Sequence, residues 1–303
     1  MNEPTIFKIH IRPENKEPTK CFEYCLANKI LGVGWQAKGC ASDCNWEEYE
    51  KRSKHHKKIN IPRYIYNNVK PDDLVWTRDG VGRYYLAKVL SGWEYLTNEE
   101  AVAVDITNIF RCDIKPVSVE EDESSVDQIP GKVITSFRST MTINRILAQN
   151  ILWFSKLLWN KLSGTSYYST DFDHNDKDIF DFLDTEAVED IVAIYLQSKG
   201  WWLIPNSRKA DTMSYEYYLI HNETKERAIV QVKTGTTKLN LNSYQCYRDK
   251  VFLFQARSLY ENKNGNDNII CIEPEEVRNF IKNNLNLMPK HIAFWWNYLK
   301  TTA

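Results

Sequence analysis

The sequence predicts a protein of two domains, with an α+β N-terminal half built on a small β-barrel and an α/β C-terminal half. A length of 303 residues is typical of two domains. Short apolar segments closed by turns dominate the first half, a pattern that favours a small barrel. In the second half a helical pattern precedes a hairpin and further apolar strands, which indicates an α/β domain. The predicted boundaries are 1–138 for the first domain, 139–170 for a connecting helix and loop, and 171–303 for the second.

Composition narrows the function classes. A hydrophobic content of 43% supports packed cores, and a net charge of −1 excludes a global basic field, so any DNA-binding surface must be local. No apolar stretch of about twenty residues is present, which argues against a membrane span. The N-terminus is too polar for a secretion signal. Seven cysteines, an odd number without a Cys-x-x-Cys pair, predict a reducing, cytoplasmic location.

Two cysteine pairs have the same spacing and precede two histidines. They are Cys21 and Cys25, Cys40 and Cys44, then His55 and His56. A zinc site can be drawn from this set, although the spacing fits no familiar zinc motif. Because residues four apart also share one face of a helix, buried reduced thiols are the favoured interpretation.

Local patterns predict the elements of the first domain. Alternating residues on both sides of a glycine-rich turn predict a β-hairpin. The predicted strands are 6–11, 74–77, 84–89, 102–106 and 110–114, the predicted helices are 19–28 and 46–54, and a turn-like Gly-Val-Gly-Trp covers 32–35. Helical apolar spacing over 142–162 predicts a connecting amphipathic helix of about five or six turns, which packs on one half or pairs with a second copy of itself.

The densest positive run of the sequence follows the second predicted helix. Its members are Lys51, Arg52, Lys54, Lys57, Lys58 and Arg63, together with His55 and His56. Contact with nucleic-acid phosphates is a natural role for such a run. A solvated helix end explains the same residues equally well.

The first half resembles PUA/EVE-like domains, the superfamily that includes the YTH readers. The similarity lies in Gly-Val-Gly-Trp at 32–35, Val-Lys-Pro-Asp-Asp-Leu-Val-Trp at 69–76, Gly-Arg-Tyr-Tyr-Leu-Ala-Lys-Val at 82–89 and Pro-Gly-Lys-Val at 130–133. The resemblance implies an aromatic cage for a modified or flipped-out base, with Trp35, Trp76 and Trp93 as candidates. The alternative is that each tryptophan belongs to the core, since tryptophan is highly buried on average.

The second half begins with a helical pattern that Gly200 ends. Two strands follow, at 217–220 and 228–233, joined by a turn at 221–224. Further buried strands are predicted at 251–256 and 268–272, and Pro274 opens a helix over 275–285. The apolar tail, His-Ile-Ala-Phe-Trp-Trp-Asn-Tyr-Leu, is expected to close the core.

Four polar residues stand in these elements in an order that suits a metal-dependent nuclease. Glu189 is on the helix, Asp211 precedes the hairpin, and Gln231 and Lys233 share one face of a strand because side chains alternate. Magnesium is held by one or two carboxylates plus water and phosphate. Asp211 is the strongest candidate ligand, with the Gln231 carbonyl and Glu189 as further ligands. Lys233 can orient the attacking water or offset charge on the phosphate.

Each of these residues also has a structural explanation. Glu189 can be solvated surface, and Glu186 or Asp190 can be the relevant acid instead. Asp211 can belong to a turn. The side chains of Gln231 and Lys233 can form the polar face of an edge strand.

The set resembles the PD-(D/E)xK nuclease superfamily, and most closely its Mrr-like restriction branch, over about residues 181–260. The matching residues are Glu189 in Val-Glu-Asp-Ile-Val, Asp211, and Gln-Val-Lys at 231–233, where the branch commonly has glutamine. The lead Arg208-Lys209-Ala210 departs from the glycine-rich lead that is frequent there. The resemblance implies a mixed sheet flanked by helices as in restriction endonucleases, a Mg²⁺ cofactor that Mn²⁺ can replace, and products with a 5′-phosphate.

The two resemblances together predict an endonuclease that cuts DNA in a modification-dependent way, as in phage defence, with the first domain reading the modified base. Two alternatives remain open: a nucleic-acid-binding reader that does not cut, and a nuclease that acts on RNA. Because two active centres are usually needed to cut both strands, a homodimer is expected.

Overall fold

The computed structural model describes residues 3–14, 16–41, 44–54, 58–117, 125–170, 178–209, 214–262 and 267–302. The chain divides into two compact units, Met1–Phe172 and Asp173–Ala303. The helix predicted to connect the halves therefore belongs to the first unit.

The first unit alternates short strands with short helices. Its strands are β1 Ile6–Ile9, β2 Ile30–Val33, β3 Leu74–Arg78, β4 Tyr84–Val89, β5 Glu94–Tyr95, β6 Asn108–Pro116 and β7 Ile143–Arg145. Its helices are α1 Pro18–Asn28, α2 Trp46–Ser53, α3 Asn60–Asn68, α4 Glu99–Ala103, α5 Gly131–Ser136 and α6 Gln149–Ser163.

These strands form one mixed sheet in the order β2-β6-β4-β3-β1-β7, with β5 beside β6. The predicted hairpin is confirmed, because β3 pairs antiparallel with β4. Strand β1 pairs parallel with β3 and antiparallel with β7. Within the described parts of the chain no pairing joins β2 to β7, so the predicted small barrel is not confirmed.

Three local predictions of secondary structure for this unit are wrong. The 102–106 segment, expected as a strand, overlaps helix α4. The helix expected over 142–162 begins only at Gln149, because Ile143–Arg145 pairs with β1 as β7. The Gly-Val-Gly-Trp segment, expected as a turn, starts within β2, which pairs antiparallel with β6.

Helix α6 is fixed to the sheet of its own unit through a buried tryptophan. Trp76 on β3 is 0% exposed, and its Nε1 donates a hydrogen bond to Ser155 Oγ at 3.0 Å. The Ser155 hydroxyl donates in turn to the Ile151 carbonyl at 2.7 Å. Because a buried indole N–H needs an acceptor, this bond makes Trp76 a structural residue that joins helix and sheet.

The second unit is an α/β arrangement around a mixed sheet. Its helices are α7 Ile179–Phe182, α8 Thr185–Ser198, α9 Pro274–Asn283 and α10 Lys290–Thr302. Its strands are β8 Trp201–Leu203, β9 Tyr217–His221, β10 Arg227–Lys233, β11 Leu239–Asn240, β12 Lys250–Gln255, β13 Tyr260–Glu261 and β14 Ile269–Ile272. The tail helix α10 buries Ile292 and Trp295, as expected of a segment that closes the core.

The main sheet of this unit has the order β14-β12-β10-β9-β8. Strands β10, β12 and β14 run parallel, whereas β9 runs antiparallel to both β10 and β8. Strand β12 is apolar on both faces, as expected for the interior of a parallel sheet covered on both sides. Strand β10 is therefore an interior strand with neighbours on both sides.

No helix in the part of the chain that the structure describes is long and apolar enough to cross a membrane.

The Trp76–Ser155 contact gives a first prediction. Trp76→Ala removes a fully buried ring and its hydrogen bond, so we expect the free energy of opening of the first unit to fall by about 3–5 kcal/mol. Amide hydrogen exchange in β3, followed by mass spectrometry, measures this loss. The control is Leu147→Ala, because Leu147 is 85% exposed and should change the same free energy by less than about 0.5 kcal/mol. Equal exchange in the two variants would show that α6 does not depend on Trp76.

Candidate active site

The candidate site is built on the hairpin of β9 and β10. In its register Tyr217 lies opposite Val230, and the Glu216 N–H donates to the Val230 carbonyl at 2.8 Å. This bond continues the pairing by one residue beyond β9 and brings Glu216 across from Gln231. Because side chains alternate along a strand, Gln231 and Lys233 lie on the same face.

The three side chains meet at one carboxylate oxygen. Gln231 Nε2 donates a short hydrogen bond to Glu216 Oε1, and Lys233 Nζ donates to the same oxygen at 3.1 Å. Gln231 is 1% exposed, whereas Glu216 and Lys233 remain partly open to solvent. The alternative of a half-buried edge strand is wrong, because β10 has neighbouring strands on both sides and the Gln231 amide is buried.

The Gln231 carbonyl is the unusual atom of this group. Among the described residues, Gln231 Oε1 is buried and has no hydrogen-bond partner. Leaving such an acceptor unsatisfied costs about 1–3 kcal/mol, so native proteins seldom retain one without a reason. Rotating the amide by half a turn would bring this oxygen to the Glu216 carboxylate. Because two acceptor oxygens repel each other, that arrangement would be favourable only with a cation or a proton between them.

Glu189 lies on α8, which Asp184 caps by accepting a hydrogen bond from the Ala187 N–H at 2.8 Å. The helix is tied to the hairpin because the Tyr217 hydroxyl donates to the Glu189 backbone carbonyl at 3.2 Å. Burial, and then the negative charge of Glu216, raise the pKa of Glu189 to about 7. A carboxyl whose pKa is raised by burial and a neighbouring carboxylate is a functional-site candidate.

Arg208 distinguishes the two neighbouring acids of α8. Its Nη1 lies 2.7 Å from Asp190 Oδ1, whereas its Nη2 is 3.8 Å from Glu189 Oε2. Asp190 therefore has a close cationic partner. Glu189 lies farther from Arg208, and the charge of Glu216 contributes to its raised pKa. This contrast favours Glu189 over Asp190 as the functional acid of the helix.

The segment after β10 is held by a buried glutamine on the neighbouring strand. Gln255 Nε2 donates to the carbonyls of Gly235 and Thr237 at 2.9 and 3.0 Å. The Ala256 N–H donates to the Lys233 carbonyl at 3.1 Å. These bonds fix the backbone on which the ammonium of Lys233 is carried.

Of the four predicted nuclease residues, the structure brings Gln231 and Lys233 together through Glu216, and it places Glu189 within electrostatic reach of Glu216. Asp211 lies outside the described residues. Glu216 was missed by the sequence prediction. The turn predicted at 221–224 would have placed Glu216 opposite Ile229, whereas the observed register, in which Ile220 lies opposite Arg227, places it opposite Gln231.

The donor set suits a hard divalent cation. Carboxylate and amide oxygens are the ligands that magnesium uses, and one or two carboxylates suffice when water and phosphate complete the shell. Glu189 and Glu216 could supply the carboxylates, and the unsatisfied Gln231 carbonyl could supply a third oxygen. Within the described ranges no group of three or more histidine, cysteine, aspartate or glutamate side chains is arranged for a metal.

The three tryptophans proposed as a base cage do not form one. Trp76 is wholly buried, so it cannot offer a face to a base, and this part of the prediction is wrong. Trp93 donates to Asn108 Oδ1 at 3.0 Å and stands edge-on to Trp46 at 5.2 Å. Trp35 borders a cavity in the first unit.

The basic run is partly neutralised by nearby acids. Arg52 pairs with Glu48 at 2.9 Å, and Lys58 pairs with Glu14 at close range. Lys51 and Lys54 are exposed, and Lys57 lies outside the described residues. A phosphate-binding role for the run remains a prediction.

The cysteines of the first helix are buried thiols. Cys25 and Cys21 lie in the core of the first unit, and burial raises the pKa of Cys25. Cys44 is buried and Cys40 half-buried, while His55 and His56 fall outside the described residues. The packing of α1 accounts for the first pair without a metal.

Comparison with known proteins adds little to this geometry. A scan against protein-family models gives no match, and a search of curated proteins gives none either. Among solved structures, the chain is similar to the DNA modification-dependent restriction endonuclease AspBHI, with 11% identity and a TM-score of 0.24 over 92% of this chain and 82% of that one. A TM-score this low does not establish a shared fold.

The raised pKa of Glu189 gives a second prediction. In the unfolded chain this carboxyl ionises near 4.5, whereas in the folded chain it stays protonated up to about pH 7. Its contribution to stability is therefore complete below pH 4.5 and is lost as the pH rises to 7. We expect Glu189→Gln to stabilise the second unit at pH 8 by about 1–2 kcal/mol, after allowing for solvent screening, and to have no such effect below pH 4.5.

Urea unfolding followed across this pH range measures the effect. The matched control is Glu223→Gln in the exposed turn of the hairpin, which should change the free energy of unfolding by less than about 0.5 kcal/mol. A Glu189→Gln effect at pH 8 as small as that of the control would contradict the burial of this carboxyl beside Glu216.

Proposed function

We propose that the chain is a Mg²⁺-dependent DNA endonuclease of the modification-dependent restriction type, in which Mn²⁺ can replace Mg²⁺. The observation that supports this proposal is the meeting of Glu216, Gln231 and Lys233 at one oxygen, with Glu189 close enough to respond to its charge. Two acids, an amide oxygen and an ammonium group are the components of a phosphodiester-hydrolysing site.

Glu216 and Glu189 would hold the ion, with the Gln231 carbonyl as a third ligand after its amide rotates. Asp211, the ligand first predicted, remains a further candidate. The bound ion would polarise the phosphate and lower the pKa of a bound water. The Glu189 carboxyl keeps its proton up to about pH 7. Because carboxylates bind metal in their deprotonated form, the metal affinity of the site would rise as the pH increases through this range.

Lys233 has a separate task in this mechanism. Its ammonium lies 3.1 Å from Glu216 Oε1, so it sits beside the carboxylate that would bind the ion. From this position it can orient the attacking water and offset the negative charge that develops on the phosphate oxygens. Gln255 keeps the lysine backbone in place through the bonds it makes to the following loop.

The division into two units supports the remainder of the proposal. The second unit would cut DNA and the first would select a modified base, with Trp35 as the aromatic residue that an incoming base can reach. A pair of chains would supply the two centres needed to cut both strands, so we also propose a homodimer on DNA.

Cleavage of matched DNAs tests the proposal. The substrates carry unmodified, methylated, hydroxymethylated or glucosylated cytosine, or methylated adenine, each with and without Mg²⁺. We expect metal-dependent nicking of at least one modified DNA and a loss of about 100-fold or more in rate for Lys233→Ala and for Glu216→Ala, since the first removes the cation that offsets charge on the phosphate and the second removes a ligand of the ion. DNA binding, measured by fluorescence anisotropy in EDTA, should persist in both variants.

The control is Lys225→Ala, which removes an exposed lysine from the turn of the same hairpin and should leave cleavage unchanged. Undiminished cleavage by purified Lys233→Ala would overturn the assignment of this site. Binding to modified DNA without cleavage at any metal concentration would favour a reader that does not cut, and preferential cleavage of methylated RNA would favour the RNA alternative.

A further inference from the structure

Arg208 lies between two neighbouring acids of helix α8. Its Nη1 is 2.7 Å from Asp190 Oδ1, which is hydrogen-bond distance, whereas its Nη2 is 3.8 Å from Glu189 Oε2, which is too far for a hydrogen bond. Asp190 therefore holds the guanidinium directly, and Glu189 attracts it by charge. The two acids, although adjacent in sequence, bind this cation unequally.

The backbone of Arg208 is anchored to the strand that follows Glu216. Arg208 belongs to a short 3₁₀ helix, Pro205–Lys209. This helix is fixed to β9, because the Tyr218 N–H donates to Ser207 Oγ at 2.8 Å. Arg208 and Glu216 are therefore carried by parts of the backbone that are tied to each other, and the position of Arg208 relative to the candidate site is fixed.

The buried ring of Tyr217 links the guanidinium to α8. Arg208 Cζ lies 6.0 Å from the centre of this ring, and the Tyr217 hydroxyl donates to the Glu189 backbone carbonyl at 3.2 Å. Tyr217 is 0% exposed, whereas the Arg208 side chain is 34% exposed. The cation is thus supported from the core and still open to solvent, so a ligand can reach it.

Each carboxylate that the proposed function assigns to the ion has a cation beside it. Lys233 Nζ lies 3.1 Å from Glu216 Oε1, and Arg208 faces Glu189. Burial and then the charge of Glu216 raise the pKa of Glu189, and the charge of Arg208 opposes them. A divalent cation on Glu189 would meet the positive charge of Arg208 at short range, so the ion and the guanidinium compete for this carboxylate.

Binding of the ion would not detach Arg208 from the site, because Asp190 holds the other end of its guanidinium. The guanidinium has five N–H donors in one plane and no acceptor, so its Nη2 needs a new partner once Glu189 turns to the ion. A phosphate oxygen meets this need, since the planar fork of arginine matches phosphate as well as carboxylate. Phosphate is also the group that commonly completes the shell of a magnesium ion held by two carboxylates.

We propose that Arg208 is a phosphate-binding residue that exchanges partners: its Nη2 lies towards Glu189 in the free protein and donates to a DNA phosphate when a divalent cation takes that carboxylate. The identity of the ion and of the DNA phosphate rests on the proposed function. In the metal-free protein the same arginine opposes metal binding. The site therefore binds its ion tightly only when DNA is present, because the phosphate draws away the cation that competes with the ion.

Manganese titration without DNA tests the first half of the exchange. Every protein is the full chain with Lys233→Ala, which keeps DNA intact in the later measurement, and electron paramagnetic resonance at pH 8 gives the Mn²⁺ affinity. Arg208→Gln removes the competing charge but keeps an amide that can donate to Asp190, so we expect it to bind Mn²⁺ about fivefold or more tightly than the parent. Arg208→Lys keeps the charge and should bind Mn²⁺ as the parent does.

The salt dependence of DNA binding tests the second half. Fluorescence anisotropy follows a short duplex carrying 5-methylcytosine over a range of salt concentrations, once in EDTA and once with Mn²⁺. With Mn²⁺ we expect Arg208→Gln to reduce the slope of log affinity against log salt by about one, because one phosphate contact is lost, and Arg208→Lys to retain the slope. In EDTA the slope should be the same in all three proteins, since Arg208 is then held by the acids of α8.

Arg227→Ala, which removes an exposed arginine at the start of β10, is the matched control and should change neither measurement. Unchanged or weaker Mn²⁺ affinity in Arg208→Gln overturns the proposal, and so does a slope that this variant leaves unchanged with Mn²⁺ or lowers equally in EDTA. Neither measurement requires cleavage. Both effects in a chain whose wild type cuts no DNA would refute only the nuclease function, and cleavage by the wild type without either effect would refute only the role of Arg208.

Discussion

The antiparallel pairing of β9 with β10 is the constraint on which the candidate active site depends. It brings Glu216 opposite Gln231, and strand alternation then places Lys233 at the same carboxylate oxygen. The parallel pairing of β10 with β12 makes β10 an interior strand, which is why the Gln231 amide is buried. On the neighbouring helix α8, the burial of Glu189 itself and then the negative charge of Glu216 raise the pKa of the Glu189 carboxyl.

Local patterns predicted much of this arrangement. Alternation identified both strands of the hairpin, and helical spacing with a terminal glycine identified α8, which begins at Thr185 and ends before Gly200. These patterns predict the elements correctly because they depend only on the spacing of residues within one helix or one strand. Periodicity failed over 142–162, where Ile143 faces a strand partner that lies far away in sequence. It also failed at 102–106, where β-branched residues favoured a strand but Glu99–Ala103 forms a helix.

Site residues were harder to predict than elements, for a physical reason. Gln231 and Lys233 were found because two residues of one strand share a face whatever the rest of the chain does. The position of Glu216 in the site depends on the register between two strands. The position of Trp35 depends on the hydrogen bonds that Tyr49 donates to the Trp35 carbonyl and Asn108 donates to the Gly34 carbonyl. From the sequence, Trp76 and Trp35 were equally good candidates for the base cage. Only the tertiary structure shows that one donates to Ser155 inside the core while the other borders a cavity.

Direct titration of Mn²⁺ into the full chain at pH 8, followed by electron paramagnetic resonance, tests the central claim most closely. The account predicts a site that binds the ion in the wild type and loses about tenfold or more in affinity in Glu216→Gln, because a carboxylate ligand is removed. Glu223→Gln, in the exposed turn, should bind as the wild type does. Equal Mn²⁺ affinity in Glu216→Gln and the wild type would contradict the claim that Glu216 and its neighbours form a metal site.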